Sequence, residues 1–375
     1  MHCEYPFSFG WEDCLNWIRP DGRLAPYTHE PGVVFPLLGT SLAVQIFPSL
    51  LRLLRAEDGK WTIFSEIVLS IRGPLEDFTV QLDPFSGRLV VFGKSMDGWL
   101  HYFLQEGKIV LKKVPSGEIL FIMNGKEARK QQGETLHLTD PTEETQVQFL
   151  EKLSLGGHKV QDLRTWKQKC DPIAVWPIWF VLGQQRKEVV SSENGCLGGM
   201  EYLLEEWHQA VQGGHPEKIV PAWRRFFLAA FSDCLIPRFV DGEHRGIVSD
   251  VVFPKRSPWE LLRRGATVLR QLFVKEEKEN LFFLPHLPPE CHAGRMHLFL
   301  QGERSSIRCD LEWTKKRIRR LFFLSPETRE VVLHCKDCAR FRVRRRMGEK
   351  GYFLETGAKI LLQGGQSVLL DRFEK

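Results

Sequence analysis

The sequence lacks any apolar run long enough to cross a membrane. Its two most apolar windows, 35–54 and 174–182, are short or broken by proline and arginine, whereas a spanning helix needs about 20 apolar residues. The first residues also lack the basic stretch followed by an apolar one that marks a secretory leader. We therefore expect a cytoplasmic protein that does not insert into a membrane.

The sequence also has little net charge and no regular pairing of cysteines. The net charge is only +5 over 375 residues, without the dense basic clusters of a dedicated nucleic-acid binder, so nucleic acid is not an expected partner. The nine cysteines are odd in number and scattered, which fits a reducing compartment better than a disulfide framework. The sequence contains no nucleotide P-loop, and no cofactor is predicted.

Short alternating apolar runs fill residues 33–140, after an irregular arm over residues 1–32. Turn dipeptides such as Asp58-Gly59, Ser86-Gly87 and Asn124-Gly125 separate these runs. Asn-Gly and Asp-Gly favour tight hairpins because both central residues must adopt positive φ. The pattern predicts an N-terminal antiparallel β-sandwich over residues 33–140.

The apolar period changes near residue 140 and changes back near residue 285. Asp140-Pro141 followed by Glu143 and Glu144 is a typical helix start. Apolar stripes at helical spacing follow over 200–211, 219–231 and 259–273. The prediction is a helical region over residues 141–284.

Residues 285–375 again alternate over short runs bounded by glycine and proline, which predicts a C-terminal antiparallel β-sandwich. In strand alternation Leu311 and Trp313 share one face, and Asp310 and Glu312 the other. We expect Trp313 inside the core. The predicted fold is thus a multidomain α and β protein, with an N-terminal antiparallel β-sandwich, a helical middle segment and a C-terminal antiparallel β-sandwich.

Three stretches of the last region share a pattern with a known family: Cys309-Asp310-Leu311-Glu312-Trp313, Ile318-Arg319-Arg320-Leu321 and Gly365-Gln366-Ser367-Val368-Leu369-Leu370-Asp371. They resemble the C-terminal β-domain of inverting glycoside hydrolases of the α-fucosidase and trehalose/maltose-phosphorylase type. The predicted domain order is similar to theirs. Their helical toroid has about a dozen helices, whereas the helical region here holds roughly four to six of average length. No segment matches their catalytic motifs, so the resemblance implies a reduced relative and assigns no catalytic residue.

A polar cluster follows Gly156-Gly157 and consists of His158, Lys159, Gln161 and Asp162. A glycine-rich turn at a helix start presents free N–H groups, and a histidine or aspartate there could move protons. We predict that these side chains face a shared concave ligand site. The alternative is a helix C-cap glycine followed by a solvated helix start.

Trp166, Trp176 and Trp179, followed by Gln184-Gln185, could form a sugar-binding surface. Aromatic rings stack on sugar rings and amides bond their hydroxyl groups. Because Pro177 should kink or break a helix, the pattern favours an exposed, bent aromatic ledge. The alternative is that the tryptophans pack in a buried helix.

Glu201 and Glu205 share a helix face near His208 and could supply the paired carboxylates of glycoside hydrolysis. The same spacing describes an ordinary solvated face.

Two features of the C-terminal region have alternative interpretations. Cys335 and Cys338 form one CxxC pair, half of a zinc site, but a hairpin explains them equally well and no metal site is predicted. Alternate arginines over 340–346 would line one strand face, either to bind an anionic polymer or as a solvated outer surface.

These observations favour a carbohydrate-active or carbohydrate-binding protein with a reduced, glycoside-hydrolase-like architecture. Whether it is an enzyme stays open. The alternative is a non-enzymatic module that docks a protein partner through its helical region.

Overall fold

The computed structural model describes residues 25–57, 59–138, 151–156, 161–185, 199–241, 257–301, 305–346 and 348–375. The described chain is mostly β-structure, with 48% in strands and five helices. Its α and β elements and its largely antiparallel sheets confirm the coarse fold class predicted from the sequence.

The five α-helices of the described residues lie between residues 163 and 273, and one 3-10 turn lies at Pro115–Gly117. The α-helices are α1 (Leu163–Lys169), α2 (Pro172–Gln184), α3 (Gly199–Gln212), α4 (Pro216–Ala230) and α5 (Trp259–Phe273).

The strands lie on both sides of the helices and in short pieces between them. They are β1 (Pro26–Thr28), β2 (Val33–Pro36), β3 (Ala43–Ile46), β4 (Leu50–Glu57), β5 (Lys60–Leu69), β6 (Glu76–Asp83), β7 (Arg88–Ser95), β8 (Gly98–Gln105), β9 (Lys108–Lys113), β10 (Glu118–Met123), β11 (Lys126–Gln131), β12 (Thr135–His137), β13 (Lys152–Ser154), β14 (Gln161–Asp162), β15 (Phe231–Ser232), β16 (Ile236–Pro237), β17 (Val274–Glu277), β18 (Asn280–Phe283), β19 (Ala293–Leu300), β20 (Ile307–Thr314), β21 (Arg317–Leu324), β22 (Arg329–Cys335), β23 (Arg340–Arg344), β24 (Tyr352–Glu355), β25 (Lys359–Leu362) and β26 (Ser367–Glu374).

These strands form five sheets. Sheet A has the order β12-β9-β8-β7-β6-β1-β14, and sheet B the order β11-β10-β5-β4-β3-β2. Sheet C has the order β13-β19-β20-β21-β26-β23-β24, sheet E the order β17-β18-β22-β25, and sheet D is the pair β15-β16. Pairing is antiparallel except for β1 with β14 and β18 with β22.

Tight two-residue turns set the register of the hairpins. Asn124 and Gly125, between β10 and β11, have φ of 50° and 75°. Lys315 and Lys316, between β20 and β21, have φ of 51° and 58°. Positive φ at both central residues matches the twist of the paired strands, so the turn predicted at Asn124-Gly125 is confirmed.

The helical layer begins with two capped helices. The Asp162 carboxylate accepts a hydrogen bond from the Arg164 N–H at 2.9 Å, and Asp171 caps α2 in the same way, followed by Pro172. These partners satisfy N–H groups that a helix start leaves unpaired. Helix α2 then runs unbroken through Pro177, and every residue from 175 to 183 is buried.

An aromatic cluster fills the space between the helices. The Trp179 ring lies 4.7 Å from Phe231, and the Trp176 ring lies 5.5 Å from Trp223. Close approach of α2 to α5 depends on Gly183, because a Cβ there would lie 2.4 Å from the Cβ of Ala266. This packing places the helical layer in the same buried cluster as the inner faces of the sheets.

The inner face of sheet C packs against sheet E and the end of α5. The rings of Phe283 and Phe323 are 6.2 Å apart, and Trp313 lies 5.2 Å from Phe273. Residues of β20 alternate strictly between buried and half-buried. Trp313 and Leu311 point inward, and Asp310 and Glu312 point outward, which confirms the alternation predicted for this strand.

The range 141–284, predicted to be helical, also contains strands. β17 and β18 pair with each other and then with β22, so they belong to a sheet of the C-terminal strands. β13 pairs with β19 in sheet C, whereas β14 pairs with β1 in sheet A. The segment 151–162 therefore joins the N-terminal and C-terminal sheets.

Candidate functional site

The outward face of sheet A carries an exposed aromatic side chain among basic residues. Along β8, Leu100, Tyr102 and Leu104 are buried in the core. The alternate residues Trp99, His101, Phe103 and Gln105 therefore lie on the opposite face, as strand geometry requires. Trp99 is 48% exposed, which is unusual for an indole within a sheet.

Polar and aromatic residues of the neighbouring strands are in register with these positions. Lys94 of β7 lies directly opposite Trp99. Phe92 lies opposite His101, and the two rings meet edge to face with centroids 6.4 Å apart. Lys113 of β9 lies opposite His101 on its other side. The rings of Trp99 and His101 are thus flanked by lysines of both neighbouring strands.

A β-bulge in β9 adds a further cation to this face. The register shifts between His101 and Tyr102, so Lys112 and Lys113 together occupy the place of one residue. The Lys112 ammonium lies 5.3 Å from the centroid of the Phe103 ring, and the Arg88 guanidinium lies 4.7 Å from it. These two cations cover the Phe103 ring, which is only 7% exposed, whereas the Trp99 ring stays accessible to a ligand.

The electrostatics of this surface are positive. Partial burial, and then the charges of Lys113 and Lys112, lower the pKa of His101 below its ordinary value. Among the described residues, Lys94, Lys112 and Lys113 make no ion pair, and all three are exposed. We call the set Lys94, Trp99, His101, Lys112 and Lys113 the Trp99 face.

Two of the residues predicted from sequence lie at the far edge of the same sheet. Gln161 and Asp162 form β14, and Asp162 is in register with Tyr27. The Asp162 carboxylate is occupied as the cap of α1, so its role there is structural. His158 and Lys159, predicted to share their site, lie outside the described residues.

The prediction of an exposed aromatic ledge is wrong. Trp166, Trp176 and Trp179 are at most 2% exposed. Pro177 does not bend them outward, because packing on all sides of α2 compensates for the one hydrogen bond that proline removes. The Trp179 N–H donates to the Leu262 carbonyl at 2.9 Å. These indoles therefore belong to the core and present no face to a sugar.

The neighbouring amides predicted to bond hydroxyl groups are also occupied. Gln184 donates to the carbonyls of Phe180 and Glu151, and Gln185 donates to that of Pro84. They tie α2 to the strands.

Glu201 and Glu205 do not form an enclosed carboxylate pair. Glu201 forms an ion pair with Arg264 of α5. Glu205 is exposed, and its Oε2 lies 3.6 Å from His208 Nδ1. On this helix face, Glu201 is paired with an arginine and Glu205 is solvated, so the two acids do not enclose a common site.

A half-buried ionic network, which the sequence did not reveal, joins α5 to sheet C. The Arg270 guanidinium lies 2.9 Å from Glu151 and 2.7 Å from Glu276. The backbone N–H of Phe299 also donates to Glu151, and that of Gln301 to Glu276. Burial lowers the pKa of Arg270, but the two carboxylates outweigh burial and the net shift is upward. Both oxygens of each carboxylate meet a donor, so the two acids hold the helix and the sheet together.

The outer face of sheet C carries arginines that are neutralised by acids. Arg342 binds Asp371 through two hydrogen bonds of 2.8 and 2.9 Å, Arg344 binds the same carboxylate, and Arg340 binds Glu374. Burial raises the pKa of Asp371, but these arginines outweigh it and hold the pKa below its usual range. The alternation predicted for this strand is confirmed over Arg340–Arg344, where β23 ends, and Arg346 lies beyond the strand. Its paired charges favour a structural surface over a site for anionic polymers.

The CxxC pair lies in the connection between β22 and β23. The hairpin interpretation is wrong, because β22 belongs to sheet E and β23 to sheet C and the two strands do not pair. Burial raises the pKa of the Cys335 thiol and that of Cys338. In the ranges that the structure describes, no three histidine, cysteine or carboxylate side chains come together to hold a metal ion.

No model of a known protein family matches the chain, and no curated protein is similar to it in sequence. Among the described helices, none combines the length and apolar character that a membrane-spanning segment requires.

The Trp99 face was not predicted from the sequence, although a signal for it is present. Trp99, His101 and Phe103 alternate with Leu100, Tyr102 and Leu104, and both sets are apolar or aromatic enough to be taken for core. Only the cross-strand register of β7 and β9 distinguishes the open face from the buried one.

Proposed function

We propose that this protein binds carbohydrate on the Trp99 face. The observation that carries the proposal is a half-exposed indole near the start of β8, an interior strand of sheet A, with Lys94 of β7 directly opposite it and Lys113 of β9 opposite His101, the next residue on the same face. An indole presents a broad apolar ring and is commonly used where one side of a ligand is apolar and its rim is polar. A pyranose has those two kinds of surface.

The polar residues of the face fit the rim of a stacked sugar. Residues directly opposite on neighbouring strands have Cβ atoms about 5 Å apart, and alternate residues along a strand lie about 7 Å apart. Lys94 and His101 are therefore at the margins of the Trp99 ring. An ammonium group donates up to three hydrogen bonds and a neutral imidazole both donates and accepts, which suits hydroxyl groups.

Binding without turnover is the form of this function that the geometry favours. Glycoside hydrolysis uses two carboxylates about 5 to 10 Å apart on either side of the scissile bond. The five residues of the Trp99 face are aromatic or basic, and among the described residues in register with them only Glu76, opposite Lys94, carries a carboxylate. The carboxylates of Glu201, Glu151 and Glu276 lie elsewhere and are bound to arginine.

The proposal includes the architecture of a reduced glycoside-hydrolase relative located in the cytoplasm. Two facing sheet pairs at the two ends of the chain, with helices between them, are the build that the resemblance in residues 309–313 implies. The contact of Phe283 with Phe323 supports a C-terminal sandwich of sheets C and E. Six free cysteines among the described residues suit a reducing compartment.

Docking of a protein partner through the helices has less support. The apolar stripes of α3, α4 and α5 are packed inward. Among the described residues of the five helices, Tyr202 is the only large apolar side chain that is exposed.

A glycan array followed by calorimetry with the strongest oligosaccharide tests the proposal. We expect the parent to bind, and Trp99→Ala to lose about tenfold or more in affinity, which is about 1.4 kcal/mol. Tyr352→Ala is the matched control, because Tyr352 is exposed to a similar degree, at 42%, on sheet C. Retained affinity in Trp99→Ala, or binding that both variants lose equally, would contradict the proposal.

A further inference from the structure

We propose that the sugar bound at the Trp99 face carries an anionic substituent, a carboxylate, sulfate or phosphate group, held by Lys94, Lys112 and Lys113. This inference rests on the proposed carbohydrate function and adds the ligand's chemical class.

The Trp99 face carries more positive than negative charge. Lys94, Lys112 and Lys113 make no ion pair within the described residues, whereas cations such as Arg342 and Arg52 are paired with Asp371 and Glu66. Glu76, opposite Lys94, is the one described carboxylate in register with the face. Three neighbouring cations beside a single carboxylate leave a net positive potential that attracts an anion.

The strand register places these cations around the open ring of Trp99. Lys94 lies opposite Trp99 on one neighbouring strand. Lys113 lies opposite His101 on the other, one alternate position further along β8. A sugar ring stacked on Trp99 would thus have ammonium groups along two sides of its rim, within reach of a charged substituent.

The bulge in β9 doubles the positive charge at this point of the sheet. Without the extra residue, strand alternation would turn one of Lys112 and Lys113 toward the core face. Bulges commonly re-aim side chains beside functional sites. Here the bulge leaves both lysines exposed next to His101.

The same surface fits a sugar better than single-stranded nucleic acid. Proteins that bind single strands stack successive bases on several open rings. Among the described rings of this face, only that of Trp99 is open for stacking. Arg88 and Lys112 cover the Phe103 ring, and the His101 ring packs edge to face with Phe92. One platform with flanking lysines suits a single charged pyranose unit.

Titration calorimetry on the full chain tests the inference with four probes: an oligogalacturonate, a heparin-derived oligosaccharide, neutral cellohexaose and oligothymidylate. The test variant is Lys94→Gln/Lys112→Gln/Lys113→Gln. The control variant Lys126→Gln/Lys315→Gln/Lys316→Gln removes the same charge from sheets B and C. Thermal unfolding of each variant checks that it is folded.

We expect the parent to bind an anionic glycan more tightly than cellohexaose, with affinity that falls as salt is raised. The test variant should lose about tenfold or more in affinity for that glycan, whereas the control variant should stay within about twofold of the parent. Binding of cellohexaose, where present, should depend on Trp99 and not on the three lysines.

Each other outcome overturns the inference in a distinct way. Trp99-dependent binding of cellohexaose, with no preference for the charged glycans, would leave carbohydrate binding intact and refute the anionic ligand. Equal losses in the test and control variants would mean non-specific attraction. Tighter, lysine-dependent binding of oligothymidylate would make the ligand a nucleic acid, and no binding of any probe would refute both proposals.

Discussion

Replacing Trp313 by alanine should destabilise the protein severely. The side chain is fully buried, and its ring lies 5.2 Å from Phe273 where α5 meets sheet C. A Trp→Ala change at such a site costs about 3–5 kcal/mol because contacts are lost and a cavity remains. The Trp313 N–H also donates to the Cys291 carbonyl at 3.2 Å, and an unpaired buried acceptor adds about 1–3 kcal/mol.

Urea denaturation followed by circular dichroism measures this loss. With a slope of about 3 kcal/mol per molar, 3–5 kcal/mol shifts the midpoint by roughly 1 M or more. Trp313→Phe separates the two contributions, since it keeps most of the apolar bulk and loses the hydrogen bond. Trp99→Ala is the exposed control and should change stability by less than about 0.5 kcal/mol.

A second substitution tests the same packing from the opposite side. A Cβ on Gly294 would lie 2.4 Å from the Trp313 ring and 2.6 Å from the Ser154 carbonyl oxygen. Gly294→Ala should therefore destabilise the parent more than it destabilises Trp313→Ala, in which the ring has gone. An unchanged midpoint in Trp313→Ala, or strictly additive effects, would refute the core assignment.

Two further predictions concern the helices and sheet C. Trp179→Leu should lower the free energy of unfolding more than Trp176→Leu does, as measured by denaturant melts. Only the Trp179 indole has a described hydrogen bond to lose, the one to the Leu262 carbonyl, which contributes about 1 kcal/mol. Equal costs would mean that this bond contributes nothing. Asp371→Asn should be less stable than the parent at neutral pH. The lowered pKa of Asp371 stabilises the fold at pH values above the ordinary aspartate value, and this contribution is lost as pH falls through the lowered pKa. The difference between the two proteins should therefore shrink below about pH 4, and a gap that is constant with pH would contradict the role of the Arg342 pair.

Local sequence determined much of the β-structure and little of the site. The Asn124-Gly125 hairpin and the inward face of Trp313 follow from turn chemistry and from a period of two, and both act over a few residues. Helix α2 shows the limit of this approach. It is apolar on all sides, so no stripe in the sequence identifies which face is buried, and Pro177 suggested a break that tertiary packing overrides.

The Trp99 face was beyond local prediction for a different physical reason. Its residues come from three strands, β7, β8 and β9, and the bulge that turns Lys112 and Lys113 together outward depends on pairing with β8. Likewise Arg270 and Glu151, 119 residues apart, show no common pattern until α5 docks on sheet C. Long-range register determines both arrangements.

The short segment 151–162 has consequences for how the chain folds and how it can be divided. β13 emerges from the ribosome well before its partner β19, and the backbone N–H that binds Glu151 belongs to a residue 148 positions later. Closing so long a loop is entropically costly and slow. During synthesis β13 therefore has no β19 to pair with, and its backbone N–H and C=O groups stay unpaired until β19 has been made. A C-terminal fragment that begins after residue 162 would lack β13 and expose the edge of β19, and an N-terminal fragment that ends before residue 161 would lack β14. The two ends of the chain are therefore interdependent in folding, and a stable fragment of sheet C must begin before Glu151.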